Sequence, residues 1–434
     1  MYMTKLSSIA YYVTQKISSN DISLSEYVTT DCILQNKKGR EIATNLPPQP
    51  CSLIRYQCGD VLIANIRPYL KKIWFADIDG GASSDVLVFR AKEGHSPSFL
   101  YAVLLQDSFF DYVMKGAKGS KMPRGDKNQI LRYEMPTLSY SEESIGTFFL
   151  NINHKIRLNE QINQNLEAMA KQLYDYWFVQ FDFPNEEGKP YKSSGGEMVW
   201  NERLKRKIPN EWDNCKLKDF INLFDSKRIP LSSKDREERK GNYPYYGATG
   251  IMDYVNEYIF DGDYILLAED GSTSDSKGFP IVQYIWGKNW VNNHAHVILP
   301  KNEQYLMFTY QMLRSIPAKQ IETGSIQKKI SQENLCAYNM VLPNSILIEK
   351  YESIISPLWE KRKLCIEEIN ALIKQRDELL PLLMNGQASV NSDLSVYKEK
   401  RRGKIPLLNP NPSIRHSNLS SPIHNCHLRK VLYG

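Results

Sequence analysis

The chain has 434 residues, of which 42% are hydrophobic and 11% aromatic. This composition excludes a globally disordered protein and is sufficient for more than one folded domain, at about 150 residues each. No apolar run reaches the roughly 18 residues of a membrane span, and the first residues are too polar for a secretory signal. The seven cysteines are odd in number and lack metal-ligand spacing, which predicts free thiols in the cytoplasm.

The net charge of +6 is a weak indicator of a nucleic-acid partner. Residues 391–434 contain eight basic and two acidic residues and account for the whole excess. Residues 1–390 carry 47 charges of each sign. Local clusters must therefore indicate a partner, because the global charge does not.

An internal repeat with a period of about 206 residues dominates the sequence. Each half has an amphipathic start, a Gly-Asp turn before a β-rich run, and a Gly-Ser pair followed by basic residues. This pattern predicts two mixed α/β domains, at 1–140 and 213–345, with short strands such as 61–66, 86–90, 264–268 and 297–299. The matching segments begin at Lys5 and Lys216 (KLSSIAYYV, KLKDFINLF), at Gly59 and Gly262 (GDVLIANIRPY, GDYILLAEDGS), and at Gly119 and Gly324 (GSKMPRGDK, GSIQKKIS).

A long helix follows each predicted domain, at 141–180 and 346–386. Apolar residues alternate at spacings of four and three in the same register in both stretches, which is typical of a coiled-coil seam. Pro357 is expected in the first turn of the second helix, and Pro381 is expected to end or kink it. The alternative is two unrelated amphipathic helices, each packed on its own domain. The predicted interface comprises Ile145, Phe149, Ile152, Ile156, Leu166, Leu173, Leu358, Ile369, Leu372 and Leu379.

Buried polar residues are expected within this seam, where they would weaken packing but fix the register. They are Asn159, Asn163, Arg362 and Arg376.

Two further segments differ in composition from the domains. Residues 181–212 begin with a stretch rich in Pro, Gly and Ser and are predicted to be a linker. Residues 387–434 are polar, basic and aperiodic, which predicts a disordered tail.

Catalytic signatures are not evident: phosphate-loop, dinucleotide, zinc-protease and amino-methyltransferase motifs are missing from the sequence. His294 and His296 would face the same side of a strand and could form a metal pair, although packed or hydrogen-bonded histidines are the commoner arrangement. Glu269 and Asp270 could bind a metal, but a turn is favoured. We therefore predict no catalytic and no metal-binding residue.

A basic, glycine-containing loop occurs at the same place in both halves. Lys and Arg on such a loop can neutralise phosphates, and Arg can also read guanine. Gly116, Gly119 and Gly125 would let the backbone approach a surface closely. The alternative is an ordinary solvated face. The candidate DNA-binding residues are Lys118, Ser120, Lys121, Arg124, Lys127, Tyr245, Tyr246, Ser325, Gln327, Lys328 and Lys329.

At these residues the chain resembles the specificity (S) subunit of Type I restriction–modification systems, over roughly residues 1–390. The segments that carry the resemblance are PYKSSGGEMVWNERLKRKIPNEW from Pro190, GNYPYYGATGIMDY from Gly241, FDGDYILLAEDG from Phe260, NNHAHV, GSIQKKIS and LIKQRDELLPLLMNGQ. The first domain departs from the pattern, since it lacks the lead-in that Ile208, Pro209 and Trp212 give the second. The tail after Val390 matches nothing in the family.

The resemblance implies two target-recognition domains, each binding half of a split double-stranded DNA site, and two antiparallel helices that dock other subunits. It implies a cytoplasmic, non-catalytic subunit without cofactors of its own. Its partners would be two methylation subunits, which use S-adenosylmethionine to methylate adenine, and two restriction subunits, which use ATP and Mg²⁺. Two other functions stay open: a self-sufficient DNA-cleaving or nicking enzyme, and a coiled-coil scaffold that does not contact DNA.

Overall fold

The computed structural model describes residues 3–137, 141–324 and 327–390. They form two compact units. Unit 1 runs to Ile162 and resumes at Cys365, and unit 2 runs from Asn163 to Leu364. Most of the predicted tail, from residue 391 onward, lies outside the described residues. Among the helices that are described, none is long and apolar enough to cross a membrane.

Unit 1 is built from strands β1–β10 and helices α1–α4, together with parts of two long helices, α5 and α10. The strands are Met3–Lys5 (β1), Ala10–Tyr12 (β2), Lys16–Ser18 (β3), Tyr27–Val28 (β4), Ser52–Tyr56 (β5), Val61–Ala64 (β6), Ile73–Phe75 (β7), Gly80–Ala82 (β8), Val86–Ala91 (β9) and Glu134–Pro136 (β10). The helices are Leu6–Ile9 (α1), Pro97–Leu105 (α2), Asp107–Lys115 (α3), Lys127–Ile130 (α4) and Glu142–Tyr174 (α5).

Unit 2 contains strands β11–β24 and helices α6–α9, again with parts of α5 and α10. The strands are Met198–Asn201 (β11), Arg206–Pro209 (β12), Asp213–Lys216 (β13), Ile221–Leu223 (β14), Lys240–Tyr246 (β15), Ile251–Val255 (β16), Phe260–Asp261 (β17), Tyr264–Ala268 (β18), Val282–Ile285 (β19), Lys288–Val291 (β20), Ala295–Pro300 (β21), Glu322–Thr323 (β22), Lys329–Ile330 (β23) and Asn339–Leu342 (β24). The helices are Leu217–Phe220 (α6), Ser233–Glu238 (α7), Leu306–Ser315 (α8), Gln332–Ala337 (α9) and Ser345–Met384 (α10).

The two units share the topology of one sheet and of one strand pair, which confirms the internal repeat. A four-stranded antiparallel sheet has the order β2–β9–β6–β7 in unit 1 and β14–β21–β18–β19 in unit 2. The first strand of each repeat pairs with the last, β1 with β10 and β13 with β24. The second sheets differ: β3–β5–β8–β4 in unit 1 and β16–β15–β20–β17 in unit 2.

The long helices run antiparallel to each other within unit 1. The Asn159 amide donates to the Glu368 carboxylate at 2.7 Å, and the Arg376 guanidinium donates to the Asn153 side-chain oxygen at 3.0 Å. Moving backward along α5 therefore means moving forward along α10. Asn159 and Arg376 are buried, at 2% and 4% exposure, as expected for polar seam residues.

The same antiparallel pairing occurs within unit 2. Arg362 donates to Glu167 at 3.3 Å, and the Tyr351 hydroxyl donates to the Ala170 carbonyl at 3.1 Å. Of the ten predicted apolar interface residues, Ile145, Phe149, Ile152 and Ile156 are buried and the other six are half-buried. The helices also pack into the core of each α/β domain. The structure therefore combines the predicted seam with the domain packing of the alternative.

One sequence expectation about proline was wrong. Helix α10 begins at Ser345, so Pro357 lies well inside it and not in its first turn. A proline in a helix interior costs about 3 kcal/mol. Its neighbours Ile355 and Trp359 are both 1% exposed in the unit 2 core, and their burial offsets that cost. The helix also passes Pro381 and ends at Met384. Pro381 therefore does not end the helix, and a kink at this residue stays a prediction.

The predicted linker, residues 181–212, is a folded part of unit 2. Strands β11 and β12 form a hairpin within it. Phe181, Phe183 and Trp212 are buried in the unit 2 core, with the Phe183 and Trp212 rings stacked at 5.1 Å between centroids. These aromatic residues flank the Pro-, Gly- and Ser-rich stretch and anchor it, which its composition did not reveal.

Gly146 lets α5 touch the N-terminus of α2. A β-carbon at this position would stand 2.3 Å from both the Phe99 nitrogen and the Ser98 carbonyl carbon. The matching residue of unit 2 is Glu352, which accepts a hydrogen bond from the Phe308 amide of α8 at 2.7 Å. Burial raises the pKa of the Glu352 carboxyl to about 7. In each unit, the N-terminus of a domain helix thus contacts a long helix. In unit 1, α2 packs closely against α5 at Gly146. In unit 2, the Glu352 side chain of α10 caps α8.

Replacing Gly146 with Ala is expected to destabilise unit 1, although alanine is favoured over glycine in a helix by about 1 kcal/mol. The clash is with rigid backbone, and overpacking of this kind costs about 1–3 kcal/mol. Urea unfolding should show a lower midpoint for Gly146→Ala and almost no change for Thr147→Ala, an exposed neighbour on the same helix. A Gly146→Ala protein as stable as the parent would contradict the close packing.

Candidate nucleic-acid interface

The basic loop of unit 1 folds into a short hairpin. Lys118 and Arg124 exchange two main-chain hydrogen bonds, each 2.9 Å long. Gly119 makes the turn with φ of +99°, a left-handed conformation that glycine adopts without steric cost. The predicted DNA-binding residues of this loop are all exposed: Lys118, Ser120, Lys121, Arg124 and Lys127.

This hairpin is attached to the end of the central strand β6. The Gly125 amide donates to the Asn65 carbonyl at 3.3 Å, and the Arg67 amide donates to the Pro123 carbonyl at 2.8 Å. Ile66 and Arg124 form an antiparallel bridge. We call residues 65–67 and 118–127 the unit 1 edge. The predicted basic loop is thereby fixed to the sheet.

Unit 2 has the same arrangement at the end of β18. The Ile330 amide donates to the Glu269 carbonyl at 2.8 Å, and Asp270 bridges Lys329. Gly324 has φ of +89° and lies so close to the Gln327 carbonyl that a side chain would clash. We call residues 268–271 and 327–330 the unit 2 edge. Gln327, Lys328 and Lys329 are exposed there, and the candidate Ser325 lies outside the described residues.

The glycines of the unit 1 loop serve the protein's own packing. A β-carbon on Gly116 would clash with the Gln129 side chain, and one on Gly125 would press on Val113 and Asn65. Gly116 and Gly125 are therefore required by contacts within unit 1, and their approach to a DNA surface stays a prediction. They let the loop lie against its own domain.

Tyr245 was also wrongly expected to be at the surface. It is only 1% exposed, and its hydroxyl oxygen accepts a hydrogen bond from the Leu231 amide at 2.9 Å. Tyr246 is half-buried, and burial raises the pKa of its hydroxyl to about 12. Both residues lie in β15, a strand of the second sheet of unit 2. The Tyr245 ring packs there in a cluster with Val255 and Trp290.

A buried charged network lies beneath the unit 2 edge. His296 is fully buried; its Nδ1 lies 2.6 Å from the Asp225 carboxylate, and its Nε2 donates to the Ile330 carbonyl at 2.8 Å. Gln332 also donates to Asp225, at 2.5 Å. Burial alone would raise the pKa of Asp225, but these bonds, with that of the Val297 amide, hold it below its ordinary value. The network ties β23 to the sheet.

Glu269 joins this network from the other side. Arg228 donates to its carboxylate at 2.9 Å, and Lys329 lies 3.2 Å from it. Burial opposes ionisation of Glu269, but these cations and His296 lower its pKa below the ordinary value. Arg228 also donates to the Ala295 carbonyl at 2.7 Å. Sequence reasoning missed Asp225 and Arg228, because they are remote in the chain from the residues they contact.

Asp225, Glu269 and His296 could each offer a ligand to a metal, since their ligand atoms lie within 4.8 Å of one another. The guanidinium of Arg228 and the ammonium of Lys329 already satisfy the carboxylates, and their positive charge opposes a bound cation. These residues therefore fit a role in stabilising the fold through ion pairs better than a role as metal ligands.

His294 does not share a face with His296. The strand starts at Ala295, so the alternation does not extend back to His294. His294 is exposed instead and pairs with Asp270 at 2.6 Å. Both histidines are thus hydrogen-bonded, which is the arrangement that the sequence analysis favoured over a metal pair.

Comparisons with known proteins match the chain to one family. Residues 209–364 match the model of the Type I restriction modification DNA specificity domain. The MjaIX specificity subunit of Methanocaldococcus jannaschii is 23% identical over 86% of each chain. The HindI specificity subunit of Haemophilus influenzae is 21% identical over 88% of this chain and 98% of its own. The fold is similar to the crystal structure of a Type I S subunit from M. genitalium, with a TM-score of 0.56, 15% identity and coverage of 90% and 96% of the two chains.

The chain is thus similar, over most of its length, to specificity subunits of Type I restriction–modification systems. The resemblance found in the sequence is therefore confirmed. The matched domain model falls within unit 2, and the shared sheet topology extends the same organisation to unit 1.

The edges of the two units differ in free positive charge. In unit 2, Lys328 pairs with Glu322 at 2.8 Å and Lys329 pairs with Glu269. In unit 1, Lys121 and Lys127 have no ion-pair partner among the described residues. The unit 1 edge is therefore positive and the unit 2 edge is close to neutral.

Replacing Glu322 with Gln should add positive charge to the unit 2 edge. The Lys328 ammonium lowers the pKa of the Glu322 carboxyl, so the pair is ionised and the change leaves Lys328 uncompensated. Binding to a random-sequence duplex should tighten at low salt. The slope of log affinity against log salt should steepen by about 0.9 if Lys328 gains one phosphate contact.

The matched control is Glu257→Gln, which removes the ion-pair partner of Arg239. This pair lies at the open end of the β15–β16 hairpin, away from its turn at residues 247–250. The control makes the same change in net charge and should leave the slope unchanged. Equal slopes for both variants would show that the unit 2 edge does not face DNA.

Proposed function

We propose that this chain selects the DNA target of a Type I complex through two half-sites, one bound at the edge of each unit. The observation that carries the proposal is the shared geometry: in both units a glycine turn presents basic residues on a strand bonded to the loop after the central strand. Lys and Arg placed this way can neutralise phosphates and reach base edges. A repeated interface suits a bipartite DNA site.

We further propose that the antiparallel helices α5 and α10 hold the subunits that carry out the chemistry. Methylation subunits would supply S-adenosylmethionine-dependent adenine methylation, and restriction subunits would supply ATP-driven translocation and Mg²⁺-dependent cleavage, with two copies of each in the cytoplasm. This chain would then be non-catalytic. The rival DNA-cleaving enzyme needs an acidic metal cluster, and among the described residues the closest set is neutralised by Arg228 and Lys329.

The other rival, a scaffold without DNA contact, predicts no role for the unit 1 hairpin. We expect Lys121→Ala combined with Arg124→Ala to weaken binding of the target duplex by the complex with its methylation subunit. Two lost phosphate contacts would reduce the salt slope by about 1.8, measured by fluorescence anisotropy at rising KCl.

The charge-matched control replaces Lys5 and Lys16, which are exposed residues of unit 1 outside its edge. This control should retain the parent's slope. If the two double variants bind with the same affinity and slope, the hairpin does not contact DNA, and the scaffold becomes the better account.

A further inference from the structure

Arg67 has a backbone conformation that is unusual for a residue with a side chain. Its φ is +53°, in the left-handed region that disfavours every residue with a β-carbon. The backbone is held there from both sides: the Arg67 amide donates to Pro123 at 2.8 Å, and its carbonyl accepts from the Leu70 amide at 2.9 Å. The turn is thus fixed by the attachment of the basic hairpin to the loop after β6.

Unit 2 has a glycine at the matching position. The bridge between Ile66 and Arg124 corresponds to the bridge between Asp270 and Lys329, so Arg67 corresponds to Gly271. Gly271 also has a positive φ, +74°, with nothing within 4 Å of where a β-carbon would stand. The fold therefore needs only a left-handed residue here, and glycine provides one without strain.

The Arg67 side chain does not stabilise unit 1 through any polar contact that the described residues show. It is exposed and has no hydrogen-bond or ion-pair partner among them. By contrast, Arg124 beside it is held by Asp85 at 3.2 Å. A strained residue whose side chain has no structural partner points to a function for that side chain.

We infer that Arg67 reads a base pair in the half-site bound by unit 1. The inference rests on the proposed function and assigns a specificity-determining residue to it. The guanidinium is a rigid fork of donors that matches the O6 and N7 acceptors of guanine in the major groove. Because hydrogen bonds hold the Arg67 backbone on both sides, the guanidinium extends from a fixed position. The exposed Tyr69 lies two residues away on the same turn. Unit 2, with Gly271, lacks this contact.

The test uses Arg67→Gly and Arg67→Lys in the complex with the methylation subunit encoded in the same genome, read by methylome sequencing. Arg67→Gly should fold with an unchanged or higher Tm, because glycine suits the left-handed turn. Methylation at the native target should fall about 10- to 100-fold, and discrimination at one base pair of one half-site should be lost. Arg67→Lys should lose discrimination at the same base pair, because an ammonium keeps the positive charge but lacks the paired donors of the guanidinium.

Lys71→Gly is the matched control. Lys71 is also left-handed, at φ of +50°, and the change also removes one positive charge, but its ammonium is paired with Asp107 at 2.8 Å. The DNA motif methylated by the Lys71→Gly complex should be the same as that of the parent.

An unaltered motif in Arg67→Gly would overturn the inference. So would an even loss across all sequences that Lys restores, since that is the signature of a phosphate contact. Absence of sequence-specific methylation by the parent complex would overturn the proposed function itself, and this assignment with it.

Discussion

The candidate interface depends on one main-chain hydrogen bond that occurs in each unit. The residue that follows the bridging basic residue donates to the carbonyl of the residue after the central strand. Gly125 donates to Asn65 in unit 1, and Ile330 donates to Glu269 in unit 2. A basic loop without this bond would be a solvated segment with many conformations. With it, the charged side chains start from a fixed position on a sheet, and the entropy lost on binding DNA is smaller.

The two units stabilise this shared hydrogen-bonded edge in different ways, and the edges consequently differ in charge. Unit 2 uses the hydrogen-bonded set of Asp225, His296, Glu269 and Arg228, and Glu269 also pairs with Lys329. Unit 1 leaves its edge basic. If both edges bind DNA, unit 1 contributes more of the salt-dependent, sequence-independent attraction, and unit 2 must rely more on shape and hydrogen bonding.

Periodicity made the helices and the repeat predictable. An apolar seam with shared register requires two long helices, and their observed bounds, Glu142–Tyr174 and Ser345–Met384, lie close to the expected ranges. The features that were missed depend on tertiary context. Pro357 is tolerated because its neighbours are buried. Tyr245 is buried within a sheet whose strand order differs between the units. The strain at Arg67 is a backbone angle that cannot be predicted from the residue type. The polar site residues were missed for the same reason, since Asp225 meets His296 only in the folded sheet.

The central claim is that this chain supplies a split DNA specificity, with one half-site for each unit. The most direct test is to express the chain with its methylation subunit in a host that lacks such methylation, and to sequence the methylome. The account predicts a motif of two short half-sites separated by a gap of fixed length and free sequence, present only when this chain is expressed. A single continuous motif, or methylation that does not depend on this chain, would contradict it.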